Sequence, residues 1–317
     1  MQPGTRKRVL VTGAGGFIGS HVTRALSEAG TEVAVIVRPQ DPLKRLSAEL
    51  PRLTVIRGDL DDVQSLAPEI TAFEPEACIH LAWYTRPGDY LDSERNVESL
   101  LASLRLLKVL GEAHCRQVLM TGTCAEYDSE FGVLSEESPV KPRTLYAACK
   151  LSLRLLGQHL AVSRGISFAW ARVFFLFGPD EDRHRLVPRL VNSLLAERPF
   201  AATAGDQLRD YLYVEDVASA LVFLTTRQLS GIFNVCSGDP ITLRTLMETI
   251  GRIMGRPHMI EFGVVPYRAW EPMAVSGDNR KLQRAGWLQH FSREDGLRRT
   301  IEWWQRVSAA GLPIDDA

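Results

Sequence analysis

No run of this 317-residue chain is apolar and uninterrupted for long enough to cross a bilayer, so no membrane-spanning role is expected. Charge of one sign is missing too. The 37 lysines and arginines against 38 aspartates and glutamates leave a net charge of −1, with no extended like-charge run. That balance gives no reason to expect nucleic acid or an anionic membrane surface as a partner. Cysteine is scarce: Cys78, Cys115, Cys124, Cys149 and Cys236 are odd in number and scattered, with no Cys-x-x-Cys pair and no Cys/His cluster. Neither a disulfide framework nor a zinc site is indicated. The first residues pass from a short basic tail into a strand-like run, without the apolar segment and small-residue cleavage site of a secretory signal. A reducing cytoplasm is the expected location. There is no internal repeat and no low-complexity segment.

What is present is the composition of an ordinary globular protein, 45% hydrophobic and 24% charged, long enough for one large or two smaller domains. Arg8 to Thr12 reads as a short buried strand. It leads into Gly13-Ala-Gly-Gly16-Phe17-Ile18-Gly19, then an amphipathic run from Ser20 to Ala29, then a second apolar strand from Glu32 to Val37. Strand, glycine turn, helix and strand form the opening unit of a dinucleotide-binding fold, a doubly wound parallel α/β sheet of Rossmann type. Gly13 and Gly16 would let the backbone turn tightly and approach a pyrophosphate. Gly19 would let the helix pack closely on the sheet, and the helix N-terminus would face the phosphates. The spacing is GxxGxxG, not GxGxxG.

The second strand ends in Val37-Arg38-Pro39, where NAD-preferring folds place an acid for the ribose hydroxyls. Arg38 would suit a 2′-phosphate instead, and its bland alternative is a solvated surface arginine. The expected cofactor is NADP(H), with NAD(H) possible. Asp59 follows a third strand, from Thr54, and stands where a side chain can reach an adenine edge. Ala77 to Ala82 is the fourth strand, and His80 in it reads as a packed structural residue without an acidic or thiol partner nearby in sequence. A leucine-rich helix follows from Asn96 to Ala113.

Strand five, Gln117 onward, brings Thr123 to the expected ligand crevice, where its hydroxyl would meet a substrate carbonyl. Cys124 beside it has an acid role as one reading and gap-filling as the other. Tyr146 and Lys150, four residues apart, would share one face of the next helix, which runs to about Ser163. A neighbouring ammonium favours phenolate, so the pair is expected to bring the Tyr146 pKa toward the working range for proton transfer at an alcohol or ketone. With the Asn96–Ala113 helix, this helix would form either a four-helix dimer seam or an intramolecular packing face. Ser167 to Phe177 is expected as a sixth strand. The dinucleotide-binding domain would comprise residues 1–177 with about 208–236 returning to it, and a smaller α/β lobe would take residues 178–207 and 237–317.

Taken in order, these stretches resemble the extended short-chain dehydrogenase/reductase superfamily, in its nucleotide-sugar epimerase, dehydratase and reductase branch. The resemblance spans nearly the whole chain. It rests on Thr12–Gly19, Gly58-Asp59-Leu60, His80-Leu81-Ala82, Asn96, Thr123 four residues before Tyr127, Tyr146-x-x-x-Lys150, Arg209 to Asp216, Phe233 to Gly238, and Arg268-Ala-x-Glu-Pro272. It implies that Gly13, Gly16, Phe17, Ile18, Gly19, Arg38, Asp59, Leu60, Leu81, Ala82, Tyr146 and Lys150 hold the cofactor. It implies Thr123, Tyr146 and Lys150 as catalytic residues, and Thr123, Arg209 and Arg268 as substrate-binding residues, the two arginines gripping a diphosphate.

Departures narrow the reaction. The Asp-Glu pair that the family's dehydratases carry after the threonine is Cys124-Ala125 here, so elimination of water is not expected. The substrate-side asparagine of the family is Phe175. The expected activity is NADPH-dependent reduction of an NDP-4-keto-6-deoxyhexose, by a homodimer. An NAD-dependent epimerase, a reductase of a non-nucleotide carbonyl, and a non-catalytic NADP-binding regulator are the alternatives.

Overall fold

The structure, a computed structural model, describes residues 7–268 and 271–310. It divides into two compact units. The first holds the residues up to Tyr127, Val140–Val173 and Ala218–Phe233; the second holds Asp128–Pro139, Phe174–Val217 and the residues from Asn234.

The first unit is built on a seven-stranded sheet. Its strands are β1 (Arg8–Thr12), β2 (Glu32–Val37), β3 (Leu53–Arg57), β4 (Ala77–His80), β5 (Gln117–Thr123), Ser167–Val173 and Gly231–Val235. From one edge the order is β3, β2, β1, β4, β5, 167–173, 231–235. From β3 to 167–173 every neighbouring pair is parallel. Strands β1, β2, β4, β5 and Ser167–Val173 are buried on both faces, as the middle of a parallel sheet covered by helices requires, and the edge strand β3 is partly exposed. Helices α1 (Phe17–Glu28), α2 (Ala67–Phe73), α3 (Arg95–Glu112) and α4 (Leu145–Val162) are its crossover connections. Thr144 caps α4, its side chain accepting from the Ala147 N–H at 3.2 Å. Register sets Thr12 opposite His80, and His80 opposite Met120. β5 therefore runs past its neighbours and carries Thr123 to the carboxyl edge.

The second unit has a four-stranded sheet, ordered 241–242, 208–209, 274–277 and 133–134. A parallel pair joins Phe175–Phe177 to Tyr211–Tyr213. Helices Leu186–Leu195, Leu243–Ile253 and Arg293–Ala309 complete it. Trp304 is buried in this unit and stands edge-on to Trp303, as packing residues do.

The boundaries differ from the sequence reading: Asp128–Pro139, 174–177 and 234–236, expected in the dinucleotide-binding domain, belong to the second unit. Residues 208–217 belong to the second unit, because Leu208–Arg209 pairs with 241–242 and 274–275, and Tyr211–Tyr213 with Phe175–Phe177. The expected strand Ser167–Phe177 is broken at Phe174, whose N–H donates to the Val235 carbonyl while Phe175 takes Tyr211 as its partner. Helix α2 was not anticipated.

Candidate functional site

The glycine loop has the shape its spacing implies. Gly13 has a φ of +70°, and a Cβ there would fall 2.7 Å from the Ala82 nitrogen. A Cβ on Gly19 would lie 2.0 Å from the Gly13 carbonyl oxygen. Each glycine is thus required by a close backbone approach, the first against Leu81-Ala82 and the second within the loop. Gly16 is the N-cap of α1 and offers no side-chain acceptor, so the N–H groups of the first turn, including Phe17 and Ile18, remain for an anion. These residues fit a dinucleotide pyrophosphate. Thr12 ties the strand ends together: its hydroxyl accepts the Leu81 and Ala82 N–H groups, each at 3.3 Å, and bonds His80 Nδ1 at 2.7 Å. His80 Nε2 bonds Ser103 at 2.8 Å. Burial lowers the His80 pKa to about 3, so this histidine is a neutral structural link.

The segment after β2 carries an unforeseen residue. The Asp41 N–H donates to the Arg38 carbonyl at 3.0 Å, closing a turn across Pro39 and Gln40. This turn swings the Asp41 carboxylate over the loop, 2.5 Å from where a Gly15 Cβ would stand. Arg45 donates to the Gly15 carbonyl at 3.0 Å, and Arg57 donates to the carbonyls of Pro39 and Asp41. Arg38 is exposed beside this acid. Asp59 is exposed at the end of β3 and caps the turn that begins at Leu60, accepting from the Asp61 N–H at 3.0 Å.

Thr123, at the tip of β5, lies near the Tyr146 hydroxyl, and its side chain favours the ionised form. Tyr146 starts α4 and meets Tyr90 edge-on, ring centroids 5.0 Å apart. Lys150 lies one turn on and is buried; its Nζ donates to the Thr121 carbonyl at 2.8 Å and sits 3.9 Å from the centre of the Trp83 ring. The expected lowering of the Tyr146 pKa by Lys150 is not what this arrangement produces. Burial raises the phenol pKa, the neighbouring Tyr90 adds to the rise, and the nearby Thr123 side chain only partly opposes it. Burial also lowers Lys150, to about 7, with Glu126 opposing. Tyr146 is therefore held as a phenol. Cys124 is partly exposed beside Thr123.

Sequence reading also missed Glu126. It is fully buried, and its carboxylate accepts from the Thr123 N–H at 2.9 Å, from Trp170 Nε1 at 3.1 Å and from Arg172 Nε at 2.8 Å. Glutamate next to the motif residue Tyr127 was the available signal, but nothing in the linear pattern said that its side chain turns inward.

In the second unit, Arg209 is 3% exposed and already engaged. It donates to Glu271 at 2.9 Å, to the Pro272 carbonyl at 2.7 Å and to the Leu208 carbonyl at 2.9 Å, and it lies 5.3 Å from the Phe175 ring centre. Arg268 is exposed. Its carbonyl accepts the Glu271 N–H at 3.1 Å, so the two motif arginines are linked through Glu271. Among the described residues, no group of three or more His, Cys, Asp or Glu is placed to hold a metal, and no helix is long and apolar enough to cross a membrane.

The model of the NAD dependent epimerase/dehydratase family matches residues 9–236. The chain is 25% identical to a trifunctional UDP-glucose 4,6-dehydratase/UDP-4-keto-6-deoxy-D-glucose 3,5-epimerase/UDP-4-keto-L-rhamnose-reductase of Arabidopsis thaliana. That match takes in 97% of this chain and 50% of the plant protein, so the chain spans about half the length of such relatives. It is 25% identical to dTDP-6-deoxy-L-talose 4-dehydrogenase (NAD(+)) of Aggregatibacter actinomycetemcomitans, over 85% of this chain and 98% of that one. Among solved structures, the UDP-glucose 4-epimerase of Thermus thermophilus in complex with NAD superposes with a TM-score of 0.84 at 25% identity, covering 94% of this chain and 99% of the other. The glycine loop, the Tyr146–Lys150 turn and a match over residues 9–236 lead to one conclusion: the chain belongs to the NAD-dependent epimerase/dehydratase family of extended short-chain dehydrogenase/reductase enzymes.

Proposed function

We propose that this protein reduces the keto group of a nucleotide-linked 4-keto-6-deoxyhexose to the alcohol, using NADPH. The observation that carries the reading is the gathering of Thr123, Tyr146 and Lys150 around a phenol that burial keeps protonated. Thr123 orients the substrate oxygen. As that oxygen gains charge, the Tyr146 hydroxyl gives it a proton. The hydride for the carbonyl carbon is the chemistry that a bound reduced nicotinamide supplies. Lys150, with a pKa near 7, holds the ribose hydroxyls and recharges the tyrosine with a proton. Cys124 and Ala125 provide no carboxylate to start an elimination. Relatives whose names include a 4-dehydrogenase and a keto-sugar reductase support redox chemistry at a deoxysugar carbon. Arg38 supports NADP over NAD, and Arg209 and Arg268 are assigned to the substrate diphosphate.

The test is oxidation of NADPH and of NADH with a panel of NDP-4-keto-6-deoxy sugars. Turnover with at least one is expected, faster with NADPH. A folded protein that binds cofactor and turns over none of them would overturn the reading.

One observation favours a second reading. The Asp41 carboxylate over Gly15 suits a ribose diol and opposes a 2′-phosphate, as an NAD-retaining epimerase would need. Stoichiometric NAD in the purified protein, with sugar epimerised and no net change in nicotinamide absorbance, would establish it. We further propose a homodimer through α3 and α4, where Val97, Leu101, Leu155 and Leu156 stand exposed.

A further inference from the structure

Beneath Thr123 lies a buried ion pair that substrate contact does not explain. Glu126 and Arg172 are both almost wholly buried, 2.8 Å apart. The Arg172 guanidinium lies 4.2 Å from the Tyr127 ring centre. Both Glu126 oxygens are used: Oε1 accepts from the Thr123 N–H and Trp170 Nε1, and Oε2 from Trp170 Nε1 and Arg172 Nε. Gly122 makes room, since a Cβ there would stand 2.3 Å from Oε1. Thr123 and Glu126 also close a capping box: the Thr123 hydroxyl accepts from the Ala125 N–H at 3.2 Å while its own N–H is held by Glu126.

A buried ion pair is a poor stability device, because desolvation offsets most of its Coulomb attraction and an apolar pair of similar volume does as well or better. What this pair achieves that an apolar pair cannot is a fixed acceptor for one backbone N–H, that of Thr123. Its N–H held by Glu126 and its hydroxyl accepting from the Ala125 N–H fix Thr123 beside Tyr146. We infer that Glu126 is a positioning residue for the reaction: its carboxylate, aligned by Trp170 and Arg172, holds Thr123 where it orients the substrate oxygen toward the Tyr146 hydroxyl. Misplacement by about 1 Å is enough to slow a step of this kind about 100-fold.

This inference rests on the reduction proposed above, and two double variants separate it from a purely structural role. Glu126→Gln/Arg172→Met removes both charges but keeps a side-chain carbonyl for Thr123. Glu126→Leu/Arg172→Met removes the acceptor as well. The expected result is a kcat within about three-fold of the native enzyme for the first. For the second, kcat falls by about ten-fold or more, with substrate KM and NADPH Kd each within about two-fold. Equal kcat in the two double variants would overturn the inference, as would a fall in kcat matched by weaker cofactor binding. Amide exchange at Thr123 needs neither turnover nor a folded leucine variant. In the native protein this N–H is expected to be strongly protected, and exchange as fast as that of a solvent-exposed amide would equally overturn the inference. If the native protein turns over no keto sugar, the reductase reading fails, and protection at Thr123 still decides whether Glu126 anchors it.

Discussion

Lys150 Nζ stands 3.9 Å from the centre of the Trp83 ring and has the Thr121 carbonyl, at 2.8 Å, as its acceptor. An ammonium held by a π-face and one carbonyl, with no carboxylate in direct contact, is poorly compensated for its lost hydration. Burial accordingly brings it down from 10.5 to about 7. Between those values the unfolded chain binds a proton that the folded one does not, so this group makes stability rise with pH across that window. Relative to a Lys150→Met variant, the native protein is expected to gain about 2 kcal/mol of unfolding free energy between pH 7 and pH 9. Urea titrations of both proteins at the two pH values measure it. Parallel pH dependences would mean that Lys150 is not depressed.

Tyr146→Phe removes the proton donor and leaves the ring that meets Tyr90. kcat is expected to fall by about 100- to 10,000-fold, the usual worth of a positioned acid. NADPH Kd, read by fluorescence, is expected to change by no more than about two-fold, since Phe keeps the helix and Lys150 in place. A loss confined to KM would move the proton transfer elsewhere.

The parts of this site that were legible in the sequence are those written in local periodicity. The glycine loop, β1 and β2 announce themselves by apolar runs flanking residues that must lack a Cβ. Tyr146 and Lys150 need only helical spacing, and Thr144 supplies the cap that starts the helix. What was illegible depends on where a side chain turns after its backbone is placed. Asp41 reaches Gly15 because a turn folds it back from Arg38, and no acid at the strand end signalled this. Glu126 points inward to Trp170 and Arg172, residues 44 and 46 positions away. The break at Phe174 arises from a change of strand partner, which an uninterrupted apolar run conceals.

Arg38 and Asp41 make opposing demands on the cofactor, which single substitutions separate. Arg38→Ala is expected to weaken NADPH binding by about ten-fold, one charge-assisted contact, and leave NADH unchanged. Asp41→Asn is expected to do the reverse, strengthening NADPH by relieving repulsion of a 2′-phosphate. Titration of each nucleotide into each variant by calorimetry gives the four constants. If Asp41→Asn weakened NADH by about ten-fold and Arg38→Ala changed nothing, the cofactor would be NAD and the epimerase reading would gain.

Val97 and Leu101 are one turn apart on α3, and Leu155 and Leu156 are exposed on α4, which packs against α3. Four such side chains on neighbouring helices favour coverage by a second copy. Light scattering is expected to give a dimer for the native protein and a monomer for Leu101→Glu/Leu155→Glu, with unchanged circular dichroism. A native monomer at micromolar concentration would reject the seam.

Arg209 bears most directly on the nature of the substrate. Its guanidinium already has Glu271 at 2.9 Å, so a diphosphate must compete with that carboxylate for it. Only Glu271 of the two is appreciably exposed, 27% against 3% for Arg209. Removing the acid thus frees the arginine more readily than substrate can reach it from elsewhere. If Arg209 grips a diphosphate, Arg209→Ala raises the KM for the nucleotide sugar by about 10- to 100-fold, the worth of one or two charged hydrogen bonds, with a smaller change in kcat. Glu271→Gln then lowers KM, because the amide binds the guanidinium less tightly than the carboxylate did. A structural ion pair behaves oppositely: both substitutions lower the thermal midpoint and neither alters KM selectively. KM and melting temperature measured on the two variants distinguish a diphosphate clamp from a strut. Unchanged KM in both would point to a carbonyl substrate without a nucleotide.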